Sequence, residues 1–310
     1  MIEHDEKPIA ERAVNGQPVS EQPANEQPAN EQPANGQPAD GQPADDVMPA
    51  GFTPDPDTVS WLLTTTRSVR RGLDLERPVD RAAVEECLQL AVHAPNAEAQ
   101  QNWRWYVITD PHRRRVIADY YRIAWTVHNR DHGPKHSRWR DSRRSRRTHE
   151  SAQWLVDHLA EVPVLVIPCV LGRPVTAQEV QALEGMFRTD DFGGRQPRVG
   201  LTLDSTFYGS IFPAIWSFQL ALRSRGLGST ITTLHLAFHE FVADELGIPR
   251  QATQIALLPV AHTKRTDFRP AGRIPARSLS YWNEWGRPRI DSSYREALVA
   301  AMENRAPTPG

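Results

Sequence analysis

Residues 66–71 read Thr66-Arg67-Ser68-Val69-Arg70-Arg71. Three guanidiniums and two hydroxyls lie within six residues, beside the expected end of a short helix. Arginine offers a fixed fork of donors and serine or threonine a short one, a set suited to a phosphate and a polar ring edge. A solvated basic helix end uses the same residues, so the stretch alone leaves both readings open.

Upstream of it there is little to fold. Residues 15–46 repeat with a period of five: NGQPV, SEQPA, NEQPA, NEQPA, NGQPA, DGQPA. Proline at every fifth place forbids a helix, and nothing larger than Val19 is available to bury, which predicts an extended tail over residues 1–52. Residues 1–50 carry ten acids and two bases, net −8, and the remainder 34 bases and 28 acids, net +6. A mildly basic body suits a phosphate-bearing ligand without requiring one. About 240–260 residues then remain, enough for one sizeable domain.

Downstream, Thr58–Thr66 reads as a short amphipathic helix. Asp80 is placed to cap a second, whose Val84, Cys87, Leu88 and Ala91 share a face before Ala94-Pro95 ends it. A strand is expected over Trp105–Thr109, a helix over Arg113–Val127, and a central, doubly buried strand over Val162–Leu171. Between Asn129 and Glu150 runs a hydrophilic insertion containing Lys135, Arg138, Arg140, Arg143, Arg144, Arg146 and Arg147 around Trp139. It reads as a solvated lid or helix face, with single-stranded nucleic acid as the minority alternative. Gly172–Asp204 reads as loop. Tyr208–Arg223 reads as a long helix with Pro213 in its first turn and almost no polar face, hence one buried in a core or in a subunit interface. His239–Leu246 is a short helix closed by Gly247, Gln254–Val260 a last buried strand, and Asp291–Glu303 one further helix. Strands separated by helices without a clean βαβ repeat indicate α+β with a mixed sheet.

Cys87 and Cys169 sit far apart in apolar segments and read as buried thiols. His235 and His239 read as packed or capping imidazoles rather than metal ligands. No run of about 18 apolar residues exists and the N-terminus lacks a secretion signal, so a cytoplasmic protein is expected. GxGxxG, GxxxxGK[ST], HExxH and GxSxG are all missing, which points either to chemistry left to a cofactor or to none.

Three blocks together resemble the flavin-dependent nitroreductase family. TRSVRRGLDLERPVDRAAVEECLQLAVHAPNAEAQQNWRWYVITD (66–110) is similar to its opening, an R-S-x-R stretch, a helix, then "AP" and a polar loop ending in Q-x-W before a strand. SIFPAIWSFQLALRSRGLGSTITT (210–233) resembles its central helix and G-L-G-[ST] loop, and ELGIPRQATQIALLPVAHTKRTDFRPAGRIP (245–275) its last core strand and basic segment. The resemblance implies an α+β, nitroreductase-like fold over residues 53–290, with a mixed, mostly antiparallel sheet flanked by helices, an intertwined homodimer, and a C-terminal extension over 291–310. FMN would be the cofactor, NAD(P)H the co-substrate, and a small electron-poor molecule such as a nitroaromatic or quinone the acceptor. The family's pattern places Arg67 and Ser68 on the phosphate side and Arg70 at the N1/O2 ring edge, with Arg71 in that role if the register shifts by one. It places Gly226, Leu227 and Gly228 against the ring, and Arg269 and Arg273 at the phosphate. No side chain is implied as nucleophile or base. One departure stands out: Ala99 occupies the place of the family's ring-binding Asn, so Gln101, Gln100 or Asn96 would have to substitute. A flavin-sequestering protein of the same fold without efficient turnover is the alternative.

Overall fold

The computed structural model describes residues 53–132, 143–187, 194–283 and 285, without the side chains of 131–132 and 143–145. The repeat tail, the heart of the Arg-rich insertion with Trp139, and the expected helix 291–303 lie outside the described residues. Contacts divide the chain after Val59. The first unit contributes Asp55, whose carboxylate accepts from the Thr58 amide at 3.0 Å. Apart from the first helix, which begins at Pro56, everything below concerns the described residues of the second unit, 60–310.

Along the chain run α1 (Pro56–Thr65), β1 (Leu73–Asp74), α2 (Arg81–Ala91), β2 (Trp103–Ile108) and α3 (Pro111–His132). They are followed by α4 (Arg143–His158), β3 (Val164–Leu171), α5 (Ala177–Glu184) and α6 (Val199–Ser224). β4 (Leu227–Ser229), α7 (His239–Leu246), β5 (Ala252–Gln254) and β6 (Leu258–Thr263) complete the order. The strands form one sheet, β1-β6-β3-β2, with β4 added to β6 and β5 to β3, every ladder antiparallel.

β3 is the centre of that sheet because it has no polar face. Val164, Val166 and Val170 pack in one core with Trp103, with Val84, Cys87 and Ala91 of α2, and with Ile211, Ile215, Phe218 and Leu222 of α6. Leu165 and Ile167 alternate with them and are equally buried, so both faces of the strand need cover. Asp80 caps α2 as expected, its carboxylate accepting from the Ala82 amide at 3.1 Å. Gly247 closes α7 in the left-handed region at φ 69°. Burial pushes the thiols of Cys87 and Cys169 up to about 11 and about 12, in keeping with inert, packed cysteines.

Four expectations need correction. α6 begins nine residues early, at Val199, so Pro213 sits in the helix interior rather than its first turn. Polar Thr202, Asp204, Ser205 and Thr206 hid this start, because these solvent-facing first turns lack the apolar period. The segment read as loop also holds α5, announced by a complete capping box in which Thr176 and Glu179 bond each other's backbone amides. The last strand is two, β5 and β6, separated at Ile255–Leu257, where the chain crosses from pairing with β3 to bridging Thr232. α2 ends at Ala91, before the Ala94-Pro95 stop, because the Val92 amide already closes its last turn onto Leu88. Among the described residues no helix is long and apolar enough to cross a membrane, and no cluster of His, Cys, Asp or Glu could hold a metal.

Candidate functional site

The stretch 66–71 is not a free helix end. Its Val69 is buried, and the Val69 amide donates to the Ser229 carbonyl of β4 at 2.9 Å. Gly228 faces the same side chain: a Cβ there would lie 3.1 Å from Val69 Cβ and 2.5 Å from Thr263 Cγ2. Glycine at 228 is therefore demanded by the closeness of the R-S-V-R stretch to the sheet. Gly226 is needed for a different reason, its φ of 70°. Leu227 between them is buried in the core.

Burying Val69 throws its neighbours outward. Arg67 and Ser68 are exposed, and Arg67 Nη1 donates to the Arg269 carbonyl at 3.3 Å, closing a loop of 202 residues. The exposed guanidinium of Arg273 leans on the Gly272 carbonyl at 3.2 Å. Arg67 and the backbone at Arg269 thus meet at one place on the surface, although they lie 202 positions apart in the sequence.

Arg70 differs from all of these. It is half-buried, and no hydrogen bond or ion pair ends on its guanidinium among the described residues. Burial lowers its pKa from the ordinary arginine value, opposed only by the nearby Tyr121 hydroxyl. Tyr121, buried on α3, shares a hydrogen bond of 2.8 Å with Thr232 Oγ1, and burial raises its own pKa. A cation taken from water without an acid to meet it is costly, and it is retained where a ligand supplies the missing acceptors.

The family profile described as "Nitroreductase family" matches residues 63–262, from just ahead of this stretch into β6. The chain belongs to the nitroreductase family. A 4-nitrobenzoate reductase from Nocardioides sp. (strain LMS-CY) is 28% identical over 200 residues, covering 60% of this chain and 73% of its own length. Two solved structures resemble the fold. A BluB-like flavoprotein from Clostridium difficile 630 aligns at TM-score 0.54 and 17% identity over 73% of this chain and 99% of its own. Nitroreductase A from Vibrio parahaemolyticus aligns at 0.50 and 14% over 80% and 83%. At those identities the likeness is one of fold. Membership carries the broad activity, flavin-dependent oxidoreduction.

Within this nitroreductase the loop carrying Ala99 is unusual. Glu98, Ala99 and Gln101 all have positive φ, at 53°, 52° and 47°. Asn96 Oδ1 accepts from the Gln101 amide at 3.0 Å, and Gln100 Nε2 donates to Glu98 at 2.7 Å. Of the three amides able to stand in for the family's Asn, only that of Gln101 has no partner among the described residues. Arg71 turns away from Arg67 and Arg269: its Nη2 donates to the Glu150 carbonyl at 3.2 Å and pairs with the Glu150 carboxylate at 3.9 Å. Tyr121 and Thr232 were not legible as site residues, since a lone tyrosine in an amphipathic helix carries no signal.

Proposed function

We propose that the chain is an FMN-dependent oxidoreductase that passes hydride from NAD(P)H to an electron-poor acceptor such as a nitroaromatic or a quinone. The observation that carries the reading is Arg70, a half-buried guanidinium with no acceptor of its own, one residue from the Val69 anchor. The residues present fit FMN: unspent donors of Arg67, Ser68, Arg269 and Arg273 for its phosphate, and a fixed cation for its pyrimidine edge.

Bound FMN supplies a ring nitrogen that accepts a hydride and gives it up again. The chain's part is to bind and to set the field. Beside the polar edge of a bound flavin ring, Arg70 would stabilise negative charge there. A hydrogen bond to an ionised group contributes about 1.5–3 kcal/mol. Leu227 and the two glycines beside it hold β4 against Val69, which fixes where that cation stands. No side chain is required to take or give a proton at carbon.

The working unit is a homodimer. α6 buries Ile211, Ala214, Ile215, Phe218 and Leu222 in its own core, yet Leu201 (72% exposed), Tyr208 (40%), Phe212 (39%) and Trp216 (39%) line another face. Spacings of seven and four residues put these on one stripe, the surface expected to meet a second copy.

The visible spectrum tests the activity. A yellow protein, bleached anaerobically by NADPH or NADH and recoloured by a nitroaromatic or quinone, is the expected result. The Ala99 loop favours a second reading, flavin binding without efficient turnover, for which the signature is a yellow protein that donors do not bleach. A colourless protein that takes up no added FMN defeats both.

A further inference from the structure

Arg223 lies in the last turn of α6 and is buried, yet no carboxylate pairs with it among the described residues. Its guanidinium carbon stands 4.8 Å from the centre of the Trp61 ring and 4.9 Å from that of Phe268. Nη2 donates to the Thr266 carbonyl at 2.8 Å, and Nε is buried without a partner. The core has no use for this cation, since Leu or Met would fill the place without desolvating a charge. What the guanidinium adds is direction: two flat faces for two rings, and an edge for one carbonyl.

The two rings it grips flank the proposed phosphate region. Trp61 lies one helical turn before Thr65, whose hydroxyl donates to the Trp61 carbonyl at 2.7 Å, and so sits just upstream of Arg67. Phe268 directly precedes Arg269, whose carbonyl receives Arg67. The Lys264 amide donates to the Gly72 carbonyl at 2.8 Å, but residues 265–267 after it are exposed and belong to no helix or strand, so backbone pairing does not hold them in place. We infer that Arg223 is a positioning residue for the phosphate half of the flavin site, pinning segment 266–269 against Trp61 so that Arg67 and Arg269 meet. This rests on reading Arg67 and Arg269 as phosphate contacts. Arg223 itself touches neither the ring nor the phosphate; it acts through the backbone of its neighbours.

The test uses the full chain, wild type against Arg223→Met and Arg223→Lys, with amide hydrogen exchange of the flavin-free protein and binding titrations of FMN and riboflavin. In Arg223→Met, the Lys264 amide, bonded to the Gly72 carbonyl at 2.8 Å, should exchange at least tenfold faster, while those of β3 and β6 keep their protection. FMN binding should weaken at least tenfold while riboflavin, which lacks the phosphate, stays within about twofold. Arg223→Lys keeps the charge but not the planar fork, so it should fall between the two and carries the comparison if the methionine variant does not fold. Unchanged exchange at Lys264, loss of protection spread equally through the sheet, or equal weakening of FMN and riboflavin overturns the proposal. A wild-type chain that takes up neither flavin breaks the flavin reading itself, while the exchange result still decides whether Arg223 pins the segment.

Discussion

Two pieces of backbone approach the proposed ring site, and they are held in opposite ways. The 66–71 stretch is fixed by the core: Val69 is buried, bonded to Ser229, and closed over by Gly228. The 96–101 loop is fixed by itself, through Asn96 to Gln101 and Gln100 to Glu98, with three non-glycine residues in left-handed backbone. Core packing is shared among many atoms and resists single changes in polar groups. A loop held by a few polar bonds at strained φ has little in reserve. Binding of the cofactor should accordingly be robust in this protein, and contact with its ring the variable part.

Changes on the packed side should cost most. Gly228→Ala drives a methyl group into Thr263 and Val69, and is expected to lose about 2–3 kcal/mol of unfolding free energy, measured by urea titration. A loss below about 0.5 kcal/mol, within the range of an ordinary surface change, places the packed contact elsewhere.

The packed side should also be the acid-sensitive one. His235, in the turn after β4, is fully buried with neither ring nitrogen bonded, and burial, helped by His239, lowers its pKa from 6.5 to about 3. Because the folded value lies below the unfolded one, its contribution is intact above pH 6.5 and is lost as pH falls through 6.5 towards 3. One such proton removes about 2 kcal/mol between pH 7.5 and pH 5. His235→Phe should remove that part of the slope; an unaltered slope assigns the acid sensitivity to another group.

Arg70→Met separates binding from folding. Removing an unpaired, half-desolvated cation should stabilise the flavin-free protein by about 1 kcal/mol. The same change should weaken FMN tenfold or more, the equivalent of about 1.4 kcal/mol. Thermal denaturation without flavin, set beside an FMN titration, shows whether the two effects have opposite sign. If both fall, Arg70 is structural.

On the loop side, Ala99→Asn tests whether the missing ring contact limits turnover. Asparagine tolerates the left-handed region, so stability should move by no more than about 0.5 kcal/mol. Bleaching by NADPH should quicken, as followed by stopped-flow absorbance. The smallest effect is expected at Arg71. Its pair with Glu150 is exposed and 3.9 Å long, so Arg71→Ala should shift stability by less than about 0.5 kcal/mol and leave FMN affinity unchanged, in contrast to Arg70.

Much of this was legible beforehand. β3 declared itself by β-branched residues on both faces, α2 by its cap and apolar period, and the joining of Arg67 to the 269 region by motif order alone. α5 and the first two turns of α6 were not, because a solvent-facing helix start carries capping chemistry but no apolar stripe. The family's pattern put Arg70 at the ring edge and Arg71 there only on a shifted register; residue type alone could not separate them. Adjacent residues of like type differ only in what the fold places around each, here Tyr121 for one and Glu150 for the other.

The sequence by itself determined the class of the fold, the family, and the supply of guanidiniums at both ends of the chain, because composition, periodicity and motif spacing are local properties. Only the tertiary structure decided that, among the described residues, Arg71 has a partner and Arg70 has none, why glycine must stand at 228, and that Arg223 reaches Trp61 and Phe268 together. Those are facts about residues up to two hundred positions apart, and burial, which no local pattern encodes, is what turns a basic stretch into a site.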